Sequence, residues 1–179
     1  MGSFLLVDPG ILVAIGCVVA VWLFVRWRAS RSEFPPMHTS PDDPLMIEAL
    51  EKAKQTREQF LGLARAANES LVVKLRFVSN SNQVEHLWAE VLEALSEEEL
   101  RVRLVTKPVT HAGHLDRIYR CSVDDVEDWQ ALDDQGKILG GFTQRAMFAI
   151  ARRDGVKLPK KLLALEQEYK DASQVTSLN

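Results

Sequence analysis

Cysteine is almost absent from this chain of 179 residues: Cys17 sits in an apolar run and Cys121 stands alone in everything that follows. No disulfide can close within the soluble part, which suits a reducing, cytoplasmic setting. A surplus of one charge is missing as well. Of 22 basic and 25 acidic residues, three and four precede residue 44, leaving 19 against 21 in the remainder. That balance is not a polyanion-binding composition, and nucleic acid is not an expected partner. Neither G-x-x-x-x-G-K-S/T nor G-x-G-x-x-G occurs, so the usual phosphate-cradling loops are excluded too. Tandem repeats and low-complexity tracts are also missing.

The chain does contain one long apolar run, Pro9–Trp27 (PGILVAIGCVVAVWLFVRW), with no charge and no proline from Ile11 to Val25. As a helix its nineteen residues would be about 28 Å long, close to the roughly 30 Å hydrocarbon core of a bilayer. A cleavable secretory signal needs a basic start and a small-x-small cleavage site, whereas Asp8 precedes the run and Arg26, Trp27 and Arg28 follow it. Ala14-Ile15-Gly16-Cys17 has the look of a lipoprotein signal, but VVAVWLFV would remain stranded beyond the cysteine. Apolar character on every face argues against a buried core helix. The expectation is a single uncleaved transmembrane helix over about 9–27 within an N-terminal segment 1–27. Arg26, Arg28 and Arg31 on its C-terminal side place the following domain in the cytoplasm, and Trp22 and Trp27 suit the headgroup level at that end.

Residues 28–43 (RASRSEFPPMHTSPDD) carry three prolines, three serines and little to bury, and read as a linker reaching up to about 50 Å. A domain of ordinary size is expected over 44–170, followed by a polar tail, 171–179. Asp43-Pro44 reads as an N-cap with proline at the first helical position. The helix it opens runs to about Ala67, with Met46, Leu50, Ala53, Phe60, Ala64 and Ala67 in a stripe that only Arg57 interrupts. Leu71–Val78 alternates as a half-buried strand before the turn Ser79-Asn80-Ser81-Asn82. Val84–Leu95 fits a helical face by pattern and a strand by its short connections. Further strands are expected at Arg101–Thr106, Asp116–Val123, Val126–Leu132 and, briefly, Ile138-Leu139. Thr110–Leu115 is a loop. A helix from Phe142 or Thr143 to about Arg153 stops at Gly155, and a shorter one spans Lys160–Lys170.

Glu85-His86-Leu87-Trp88, Pro108, Asp128-Trp129 and Gly140-Gly141-Phe142-Thr143 occur in that order. This combination resembles the YegJ-like bacterial domain of unknown function, which carries similar E-H-x-W, D-W and G-G-F/Y-T segments over about 43–148. The resemblance implies an α+β fold, a leading helix packed on a mostly antiparallel sheet of about five strands with one or two C-terminal helices. It tips Val84–Leu95 towards strand but supplies no activity, and the anchor, the linker and the helix Lys160–Lys170 go beyond its pattern; the anchor in a bacterial chain sets the expected location at the inner membrane.

His86 beside Glu85 invites a general acid/base reading, since imidazole titrates near neutrality. In a strand, however, adjacent side chains point to opposite faces, and a structural histidine is the plainer reading. His111 and His114 with Asp116 or Cys121 as a third ligand are a weak zinc signal, two loop histidines and a lone cysteine, so no metal and no cofactor is expected. Gly140-Gly141 before a helix start invites comparison with an anion seat, with Thr143 adding a hydroxyl. The plainer reading is backbone geometry with Thr143 as cap. Trp88 and Trp129 read as core or rim aromatics and only secondarily as a binding platform, and Asp128 as a cap or the hydrogen-bond partner of a turn. Arg145, Arg152, Arg153, Lys157, Lys160 and Lys161, against Asp154 alone, form a basic segment whose plainer reading is a solvated helix face and whose functional reading is a surface for anionic lipid.

The expected function is a non-enzymatic module that binds a protein or small ligand, tethered through Pro9–Trp27 to the membrane. Candidate binding residues are Glu85, His86, Trp88, Asp128, Trp129, Gly140, Gly141 and Thr143. The alternatives are an enzyme using His86 with Glu85 or Asp128, and a lipid-contacting domain acting through 145–161.

Overall fold

The computed structural model of the chain describes residue 40 and residues 42–78, 82–108 and 117–169. The proposed span Pro9–Trp27, most of the linker, His111, His114 and the tail 171–179 lie outside the described residues. Among those described, no helix is long and apolar enough to cross a membrane.

Among the described residues four α-helices and six strands form an α+β arrangement: α1 (Pro44–Gln55), α2 (Arg57–Arg65), β1 (Val72–Val78), β2 (Val84–Ala94), β3 (Glu99–Leu104), β4 (Ile118–Ser122), β5 (Val126–Leu132), β6 (Ile138–Gly140), α3 (Phe142–Arg153) and α4 (Lys160–Glu166). Asp43 caps α1, its Oδ1 accepting the Leu45 N–H at 3.0 Å, with Pro44 just inside the helix as its fixed φ favours.

The leading helix is not continuous to Ala67 as the apolar stripe implies. It breaks at Thr56, whose backbone leaves helical geometry at φ −97° and ψ 16°. The Thr56 hydroxyl points back at the Lys52 and Ala53 carbonyls and also accepts the Trp129 indole N–H at 3.0 Å, so a tertiary contact occupies the break. Arg57, the interruption in the stripe, opens the second helix and pairs with Asp124. The buried positions become Met46, Ala49 and Ala53 on α1 and Phe60, Leu61 and Ala64 on α2. Ala67 instead ends the segment exposed, at φ +51°.

The sheet has six antiparallel strands rather than about five, in the order β4-β3-β2-β1-β5-β6. Val84–Ala94 is a strand, pairing Lys74 with Trp88 and Arg76 with His86. The helical spacing of its apolar residues is overridden by ladder hydrogen bonds on both sides. Other bounds shift by a few residues. β3 starts at Glu99, β4 ends at Ser122 with a 3-10 turn over Val123–Asp125, and α4 ends at Glu166 rather than Lys170.

Only residues 123–125 join β4 to β5, although β3, β2 and β1 separate them in the sheet. The Phe77 and Tyr119 rings, from β1 and β4, meet edge to face at 5.8 Å. Both facts require the sheet to coil on itself with its apolar face inward, a curvature aided by the register shift within Val91–Glu93 of β2. Leu75, Leu87, Ala89, Leu100, Val102, Leu104 and Trp129 line that inner face, where α1, α2 and one side of α3 complete the core. The outer face carries Lys74, Arg76, His86, Trp88, Glu90 and Arg103.

Candidate functional site

The segments Asp128-Trp129 and Gly140–Thr143 meet where β5, β6 and α3 join. Gly140 and Gly141 take successive left-handed conformations, φ +71° and +65°. Gly140 packs so closely that a Cβ there would lie 2.2 Å from the Trp129 carbonyl oxygen, and the Gly141 N–H donates to that same oxygen at 2.7 Å. Any L side chain at either position would be strained as well as crowded.

This double turn starts α3 directly over Asp128, which is 0% exposed. Its Oδ1 accepts the Trp129 N–H at 2.8 Å and the Phe142 N–H at 3.2 Å. Its Oδ2 accepts the Thr143 N–H at 2.8 Å and the Thr143 hydroxyl at 2.6 Å. The Phe142 and Thr143 N–H groups at this helix start are taken up by the protein's own carboxylate, and the glycine pair provides the backbone geometry of the plainer reading. Thr143 is not the cap: the residue before α3 is Gly141, which has no side chain to offer, and the capping oxygens come from Asp128 on the neighbouring strand.

Lys74 completes the cluster, its Nζ donating to the Thr143 hydroxyl oxygen at 3.2 Å. Burial pushes the Lys74 amine below its ordinary value, against the opposing pull of Asp128 and Glu127. Burial likewise pushes the Asp128 carboxyl up, against the hydrogen bonds from Thr143 and Trp129 and the Lys74 charge, all of which favour the anion. Trp129 is core: it stacks on Phe60 with centroids 6.5 Å apart, meets Phe142 edge to face at 6.2 Å and donates its indole N–H to Thr56.

His86 stands elsewhere on the outer face. Its Nδ1 lies 2.6 Å from Glu127 Oε2, so its carboxylate partner is neither Glu85 nor Asp128. Glu85 falls on the opposite face, paired across the ladder with Phe77. Glu127 reaches His86 because the β1–β5 register shifts between Lys74 and Leu75, leaving Glu127 as an extra residue between Val126 and Asp128. Trp88 sits half-buried across from Lys74. The structure thus gathers Asp128, Trp129, Gly140, Gly141 and Thr143 into one joint and leaves His86 and Trp88 on the sheet surface.

The three arginines of the basic segment are engaged within the fold. Arg145 lies over the Phe142 and Tyr169 rings, at 5.9 and 5.3 Å. Arg152 pairs with Glu166, and Arg153 forks onto Asp43 at 2.7 and 3.2 Å while also holding Asp154. Lys157, Lys160 and Lys161 are exposed. Among the described residues no group of three or more His, Cys, Asp or Glu side chains is placed to hold a metal ion.

Lys74, Thr56, Glu127 and Tyr169 have site roles that sequence reasoning did not assign. The alternation of Leu71–Val78 does put Lys74 on the polar face. Nothing local marks Thr56 or the bulged Glu127, because their partners lie 73 and 41 residues away.

A family model described as an uncharacterized protein conserved in bacteria, DUF2314, matches residues 43–154, and the chain belongs to that family. No curated protein and no solved structure matches the chain.

Proposed function

We propose that the chain is a non-enzymatic protein-binding module held at the inner face of a bacterial membrane by the span Pro9–Trp27. The segments resembling the YegJ-like domain all fall within the matched 43–154, and on this reading they build the binding scaffold rather than an active site. The observation that carries the reading is the internal use of Asp128. An enzyme working at the Gly140-Gly141 turn needs that helix start open to an anionic substrate and that carboxylate available, and here each saturates the other.

One contact favours a second reading, general acid/base chemistry at His86. Glu127 orients the ring as a catalytic carboxylate does. The pair stands on an outward sheet face, however, with the His86 side chain 48% exposed, where water screens charge.

Photocrosslinking of the full chain in its membrane tests the binding reading. A photoreactive residue placed beside Trp88 should capture one recurrent partner, and Trp88→Ala should remove it. A chain that stays solitary under every condition overturns the reading. Fractionation tests the tether: the full chain should sediment with membranes, and a chain starting at residue 40 should not.

A further inference from the structure

The outer edge of β6 is covered by the chain's own C-terminal segment. Beyond α3 the stretch 154–159, with Gly155 at φ +69° in open space, leads into α4. The chain then turns back, and Tyr169 bridges Ile138 in parallel register while the Ile138 N–H donates to the Glu168 carbonyl at 2.8 Å. The Tyr169 ring enters a slot. Its hydroxyl accepts from Gln130 Nε2 at 3.0 Å, Phe148 meets it edge to face at 6.1 Å, and the Arg145 guanidinium lies 5.3 Å from its centroid. Gly141 forms the floor, where an added Cβ would lie 2.4 Å from the ring.

The remaining attachments of this strap are slight. Lys137–Glu168 and Arg152–Glu166 are partly exposed ion pairs, and Leu162 is the one buried residue of α4. Exposed pairs hold little against water. Gln130, Gly141, Arg145 and Phe148, which make the slot, all lie within the family match 43–154, whereas α4 and Tyr169 lie beyond it.

We propose that the β6 edge and its slot form a docking groove for an extended partner segment carrying a tyrosine, and that Glu168-Tyr169 is an intramolecular occupant which such a segment displaces. This rests on the binding-module reading and adds to the outer face at Trp88 a second surface, the β6 edge, with the chemistry of its partner. An uncovered edge strand presents unpaired N–H and C=O groups that an incoming strand satisfies. The slot selects a phenol: a phenylalanine would fill the space between Gly141 and Phe148 but leave the nearly buried Gln130 amide without that acceptor.

The test titrates the full chain in detergent with a labelled peptide of residues 160–172, KKLLALEQEYKDA. Tyr169→Ala should bind it at least about tenfold more tightly than the unchanged chain, whose tethered strap competes at high effective concentration. The same peptide with its tyrosine changed to alanine should not bind. Equal or undetectable binding to both chains overturns the groove. Should Tyr169→Ala fail to fold, hydrogen exchange of the unchanged chain decides. A displaceable strap predicts that the Ile138 amide exchanges at least about a hundredfold faster than the amides of β1, and exchange at the same rate overturns it. A partner still captured beside Trp88 after such a failure would sink the groove while leaving the binding reading standing.

Discussion

Asp128 and Thr143 are joined twice, the carboxylate Oδ2 accepting the threonine backbone N–H at 2.8 Å and its hydroxyl at 2.6 Å. A strand residue thereby caps a helix that begins fourteen residues later, and the glycine pair between them lets the chain double back. Asp128→Asn would turn an amide N–H₂ towards donors and leave Lys74 with Glu127 alone as counter-charge. We expect a loss of about 3 to 5 kcal/mol, as when one member of a buried charged network is removed. Urea denaturation followed by circular dichroism reads this directly. An unchanged midpoint would mean that the carboxylate is not structural.

The glycines separate crowding from backbone strain. Gly136 has φ +75° with nothing within 4 Å of a Cβ, so Gly136→Ala should cost only the left-handed penalty, about 1 to 2 kcal/mol. Gly140→Ala adds a collision with the Trp129 carbonyl and should destabilise far more, seen as low soluble yield or a much lower melting temperature. Similar losses for the two would contradict the packing described.

Thr56→Val keeps the shape of the helix break and removes the acceptor of the Trp129 indole N–H. Leaving that donor unpaired should cost about 1 to 3 kcal/mol. Thr56→Ser, which retains the oxygen, should keep most of the stability. The comparison is made by chemical denaturation.

Cys121 should be slow to react in the folded chain. Burial, with the charges of Asp125 and Glu99, pushes its thiol from 9.0 up to about 11. Alkylation at pH 8, read by mass spectrometry at Cys121, should accelerate at least about tenfold on unfolding, since the thiolate is the reactive form. Because the folded value is the higher one, the folded state holds the proton longer. The associated stability is fully present below pH 9 and is lost as pH rises through about 11.

Much of the architecture is legible in local pattern. Asp43-Pro44 marks the start of α1, the alternation of Leu71–Val78 marks β1, and Gly140-Gly141 marks a special turn before a helix, each because one residue type suits one backbone geometry. Val84–Ala94 is different. Its spacing satisfies a helix, and only pairing with β1 and β3 makes it a strand.

By itself, then, the sequence determined the helix and strand starts written in capping and turn residues and the apolar run Pro9–Trp27 that motivates the membrane proposal, while the α+β class came with the family resemblance. These depend on residues close together in the chain. Tertiary structure alone decided the break at Thr56, the partnership of His86 with Glu127, the filling of the helix start by Asp128, and the seating of Tyr169 on Gly141. Each joins atoms from separate elements, through a bulge, a coiled sheet or a returning strap, and no local spacing encodes such distances.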